Sequence, residues 1–214
     1  MKIMILLALL VSSVLAAPSA VQIIPFQKNA IPKTATYQGN VVGGAHWKDA
    51  QGEFIFFVTQ TPAIDSKGEC ATEDGCKDAE LYAFCYAIKD GVATQVWKTI
   101  DFERNCPFDL YAGLAKDAIF VTDEDKNGIA ECSFLYILTC RSDVSPSTLK
   151  LIMHEGTTKY AIRGTTIPDE SYGIAQGAGI MNVDASFNAA NPKVKAFAIS
   201  KFKEFTHKDS FEQQ

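Results

Sequence analysis

Residues 118–140 read Ala-Ile-Phe-Val-Thr-Asp-Glu-Asp-Lys-Asn-Gly-Ile-Ala-Glu-Cys-Ser-Phe-Leu-Tyr-Ile-Leu-Thr-Cys. Two apolar, β-branched and aromatic runs flank a polar loop that contains Asn127-Gly128. Runs of this length and composition, bounded by turn residues, are strands rather than helices. The same plan precedes this stretch. Val41 to Trp47 is a glycine-interrupted strand, Asp49-Ala50-Gln51-Gly52 is a turn, and Glu53 to Thr59 is a strongly apolar strand. Each unit then continues into a hairpin. Glu80 to Ile88 returns through Lys89-Asp90-Gly91 as Val92 to Phe102, and Leu149 to His154 returns through Glu155-Gly156 as Lys159 to Thr165. The aromatics Trp47, Phe54, Phe56, Phe57, Tyr82, Phe84, Tyr86 and Trp97 alternate as the core of strands would.

Two such units are similar antiparallel meanders, resembling two blades of a propeller. Two blades cannot close a propeller, so the sheets are expected to pack as a sandwich or open barrel. The fold class is mainly β, with one helix at the C-terminal end. Asn191-Pro192 supplies a side-chain cap and a proline at the first helical position. Val194, Phe197, Ala198, Phe202 and Phe205 share a face, so residues 192–206 form an amphipathic helix that closes a sheet face. Residues 17–36, with Pro18, Pro25 and Pro32 and little periodicity, are an extended lead-in. Residues 37–214 then make a single β-rich domain.

Residues 1–16 have a different character: Lys2 precedes an apolar run from Ile3 that ends at Val14-Leu15-Ala16. About 13 apolar residues fall short of the ~20 that span hydrocarbon, whereas small residues before a cut suit a signal peptidase. The expectation is a cleaved signal peptide, an exported periplasmic or extracellular protein, and no membrane span after cleavage. The chain of 214 residues carries 20 basic and 25 acidic side chains; losing Lys2 leaves 19 basic and 25 acidic, a net charge of −6. That balance excludes a nucleic-acid partner held on a basic face.

All 6 cysteines follow the signal segment, and an even number in an exported chain reads as disulfides. Cys70 and Cys76 flank a polar loop and form a natural local pair. Cys106 and Cys140 both lie where strands become loops and pair next. Cys85 and Cys132 remain inside apolar strands, either bridged to each other or as buried thiols. Zinc is disfavoured: no Cys-x-x-Cys occurs, and the histidines are His46, His154 and His207 alone.

The loop Asp123-x-Asp125-x-Asn127-Gly128-Ile129-x-Glu131 carries the sharpest chemical signal. Calcium takes six to eight oxygen ligands. Side-chain oxygens of Asp123, Asp125 and Asn127, the Ile129 carbonyl and the Glu131 carboxylate can converge on one point, with Gly128 permitting the sharp turn. The competing reading is a strand connection whose Asp and Asn side chains cap their own backbone. The loop resembles the calcium loops of integrin-type and related propeller repeats more than an EF-hand, because strands flank it and Phe134 stands where an EF-hand has its last glutamate. The matching first loop offers Asp49, Gln51 and Glu53 only, and no ion is expected there.

A weaker ligand site is Arg141 and Asp143 in the loop Arg141-Ser142-Asp143-Val144-Ser145-Pro146, with His154 and Arg163 on the hairpin that follows. A polar cleft there would suit a sugar or an acidic ligand, against the alternative of an ordinary loop held by an Arg–Asp pair. No nucleophile elbow, phosphate-binding glycine loop or dinucleotide fingerprint occurs. The segments at 78–83, 106–111, 122–131, 138–146 and 149–164 together resemble a family of exported bacterial proteins named surface polysaccharide biosynthesis protein. That resemblance implies an envelope role, with a polysaccharide or another envelope protein as partner. The expected function is an exported, non-catalytic, calcium-stabilised β domain acting as a binding or accessory module. The alternative is a polysaccharide-processing enzyme with its site near loop 141–146.

Overall fold

A computed structural model describes residues 20–70, 72–73, 75–168 and 175–207. The expected signal peptide lies outside them. The strands are β1 (Gln22–Ile24), β2 (Asn40–Asp49), β3 (Gly52–Gln60), β4 (Ile64–Asp65), β5 (Lys77–Lys89), β6 (Val92–Cys106), β7 (Asp109–Thr122), β8 (Glu131–Arg141), β9 (Thr148–Glu155), β10 (Thr158–Thr165) and β11 (Met181–Val183). One helix, α1 (Pro192–Phe205), follows, with the Asn191 side chain accepting from the Lys193 amide at its start.

Two antiparallel sheets result. The first runs β1-β2-β3-β5-β4, with β6 on the remaining edge of β5, and the second runs β11-β10-β9-β8-β7. The two meanders are therefore β2-β3-β5-β6 and β7-β8-β9-β10, packed face to face as a sandwich. In β3, Phe54, Phe56 and Val58 face the other sheet, while Ile55 and Phe57 face away. Both sets are buried, and that is why this strand shows no alternation in sequence. Across the interface, Phe56 meets Phe134 at 5.2 Å between ring centres.

The outer faces are also covered. Phe26, Ala30, Ile31 and Ala35 of the lead-in pack over Ile55, Phe57, Phe84 and Tyr86. On the other side, Val194, Ala198, Phe202 and Phe205 of α1 pack on Leu135, Ile137, Leu149 and Leu151. The order of layers is lead-in, first sheet, second sheet, helix.

The disulfides are Cys70–Cys76 and Cys106–Cys140, the second joining the end of β6 in one sheet to the end of β8 in the other. Cys85 and Cys132 are free, buried thiols, so the option of a third bridge between them is not realised. Burial raises both thiol pKa values, which keeps them protonated. No helix among the described residues is long and apolar enough to cross a membrane.

Candidate metal centre

The loop between β7 and β8 folds on its own side chains. Lys126 and Gly128 take positive φ angles of 62° and 81°, which wind the chain back on itself. Asp125 Oδ1 accepts from the Asn127 amide at 3.2 Å, and Asp123 Oδ2 accepts from the Gly128 amide at 3.2 Å. Glu131, the first residue of β8, reaches back so that its Oε2 accepts from Thr122 Oγ1 at 2.9 Å and from the Glu124 amide at 3.0 Å.

These bonds bring one carboxylate oxygen each from Asp123, Asp125 and Glu131 within 4.8 Å of one another. Glu131 is fully buried, 0% exposed, and its Oε1 has no hydrogen-bond partner among the described residues. Asp123 Oδ1 is buried and unpartnered in the same way. Burial, then the charges of Asp125 and Glu155, raise the Glu131 pKa against the opposing bonds from Glu124 and Thr122. Closely spaced carboxylates with two unsatisfied oxygens are costly unless a cation joins them. The donors are all hard oxygens, which fits calcium, magnesium or manganese and not a thiolate-seeking metal.

No protein-family model, curated protein or solved structure matches this chain. Function therefore rests on the chemistry of the site itself.

Asn127, expected as a ligand, is a brace here. Its Oδ1 accepts from the Ile129 amide at 2.7 Å, while its Nδ2 donates to Asp125 Oδ2 at 3.2 Å and to Glu155 Oε1 at 2.6 Å. Ile129 enters through that amide. The sequence reading missed Glu155, which lies directly across β8–β9 from Glu131. It also missed Asp49, whose Oδ2 accepts from the Ala130 amide at 3.1 Å. The first loop is thus an anchor for the second: Ala50 N also donates to Gly128 O at 2.8 Å. Glu53 is held by Lys48 and His46, and both bonds lower its pKa.

The four residues of the weaker ligand site do not converge on one point: Arg141 and Asp143 share a loop, and Arg163 and His154 lie elsewhere. Arg141 donates to the Ser145 carbonyl and Asp143 Oδ1 accepts from the Ser145 amide at 2.8 Å, so both close their own loop. Arg163 pairs with Asp184 across β10–β11 at 3.0 Å. His154 sits at the far end of β9 from loop 141–146, facing the sandwich core. It stacks on Trp97 beside a cavity of about 10 Å³ also lined by Cys85 and Cys132. The alternation of β9 explains the difference: His154 follows Ile152 onto the inner face, whereas Leu151 and Met153 point to the helix.

Proposed function

We propose that this chain is an exported β-sandwich stabilised by one calcium ion, acting as a non-catalytic binding or accessory module at the cell envelope. The observation that carries the reading is the fully buried Glu131 carboxylate, with one oxygen unpartnered beside Asp123 and Asp125. Asp123, Asp125 and Glu131 would hold the ion, whose two positive charges would offset most of the charge of the three carboxylates and tie β7 to β8. Calcium is favoured over magnesium because carboxylates spread along an irregular loop suit its variable shell of six to eight oxygens, and magnesium demands a small octahedral shell. A carboxylate sealed this far from solvent suits a structural ion rather than one that must bind substrate.

Two disulfides support an oxidising compartment, consistent with the signal-like residues 1–16. The resemblance to exported polysaccharide proteins favours a polysaccharide or a second envelope protein as the partner.

Thermal melting of protein stripped of divalent ions tests the ion. Calcium at about 100-fold above its Kd adds about 2.7 kcal/mol, a rise in Tm of about 5–10 °C for a chain of this size. Magnesium at the same concentration gives a smaller rise. Glu131→Gln removes the buried charge, so the ion-free Tm holds or rises while the calcium response disappears. No shift with millimolar calcium overturns the reading.

A further inference from the structure

The acidic loop makes backbone contacts with the opposite sheet, and those contacts lie one peptide away from two of its carboxylates. Gly128 donates its amide to Asp123 Oδ2 at 3.2 Å and offers its carbonyl to the Ala50 amide at 2.8 Å. Ala130, buried and next in sequence to Glu131, donates its amide to Asp49 Oδ2 at 3.1 Å. Asp49 in turn closes the β2–β3 turn, with Oδ1 accepting from the Gln51 amide at 2.7 Å. Its Oδ2 also accepts from the Trp47 indole Nε1 at 3.1 Å. One carboxylate oxygen is therefore shared between a tryptophan of the first sheet and the backbone that positions Glu131 in the second.

We infer that Asp49 is a positioning residue for the cation site, and that occupancy of the site is read out at Trp47 in the opposite sheet. The inference rests on the calcium reading, which stands on the buried, unpartnered Glu131 oxygen rather than on the acidic cluster alone. An ion drawing Asp123 and Glu131 together moves or stiffens Gly128 and Ala130, whose outward partners belong to the β2–β3 hairpin. The Asp49 oxygen facing Ala130 transmits that change to the indole N–H. The coupling runs both ways: a hairpin held by Asp49 keeps Ala130 and Glu131 in place for the ion. Residues that orient metal ligands commonly change affinity by about 10–100-fold when removed.

Isothermal calorimetry with calcium on wild type, Asp49→Ala and Asp49→Asn tests this. Asp65→Ala serves as control, since it removes the same charge from an exposed strand paired to the start of β5. Asp49→Ala is expected to weaken binding about tenfold or more. Asp49→Asn, which keeps an acceptor oxygen, recovers part of the loss, and Asp65→Ala changes nothing. In a Trp97→Phe background, emission from Trp47 alone changes with calcium, and Asp49→Ala removes that change. If Asp49→Ala binds as wild type does, the positioning role is overturned while the ion site stands. If wild type itself gives no binding, the ion site falls and this role with it. Should Asp49→Ala not fold, amide exchange in the wild type decides. Slower exchange at Ala50 and Ala130 with calcium supports the coupling, and unchanged exchange at both overturns it.

Discussion

The imidazole of His154 lies 3.9 Å from the Trp97 ring centre and 8° from parallel, inside a sandwich core that leaves both ring nitrogens without a partner among the described residues. Burial, aided by the Lys159 charge, pulls its pKa from 6.5 down to about 3. The folded chain therefore holds neutral histidine, while the unfolded chain takes up a proton below 6.5. The stabilisation is present above that value and is lost as pH falls from 6.5 towards 3. The hydrogen-bonded carboxylates Glu53 and Glu80, whose pKa values lie below the ordinary 4.5, add their own acid loss only under that value. In the ion-free protein Glu131 has the opposite sign: its raised pKa means that protonation on acidification relieves a penalty. A Glu131→Gln background removes that compensation. In it, stability should fall by about 2 kcal/mol between pH 6.5 and 4.5, and adding His154→Phe should flatten that limb. Urea midpoints at several pH values measure the slope.

The helix α1 places Val194, Ala198, Phe202 and Phe205 in the outer core of the second sheet, with Phe202 fully buried. Phe202→Ala should cost about 3–5 kcal/mol. Phe197→Ala, at a partly buried ring that meets Phe120 edge-on, should cost clearly less, and denaturant unfolding of the two variants gives the comparison. This helix, with β3, β5, β6, β8, β9 and β10, was readable from the sequence because periodicity and turn residues are local signals. The first half of β7 was not. Gly113, Lys116 and Asp117 interrupt its pattern, since its register with β8 breaks between Leu114 and Ile119 and Asp117 takes a φ of 56°. A bulge of this kind is stabilised by the neighbouring strand and leaves no periodic trace. The candidate metal centre divides in the same manner. Asp123, Asp125 and Glu131 are recognisable because one loop holds them all. Asp49 lies 81 residues from Ala130, and only the packing of two hairpins from different sheets brings them together.

Across the whole sandwich, β8 is pinned at both ends to the opposite sheet. Its first residue, Glu131, follows the loop held by Asp49 and Ala50, and its penultimate residue, Cys140, is bonded to Cys106 of β6. At about 3.3 Å per residue the two pins lie about 30 Å apart. The disulfide spans 34 residues, for which the chain-entropy account gives about 3–4 kcal/mol. Cys70–Cys76 spans only 6 and is worth about 2 kcal/mol on the same account. Replacing Cys106 and Cys140 together by serine should therefore destabilise the fold more than replacing Cys70 and Cys76. Sites this far apart with no shared partner contribute additively. If calcium binds as proposed, removing it should lower the unfolding free energy by the same amount, within about 0.5 kcal/mol, whether or not the Cys106–Cys140 bond is present. A double cycle of chemical denaturation, with calcium or chelator and with wild type or the paired serine variant, measures the difference. A larger discrepancy would mean that the ion and the disulfide act on one common element, the whole length of β8, rather than on its two ends.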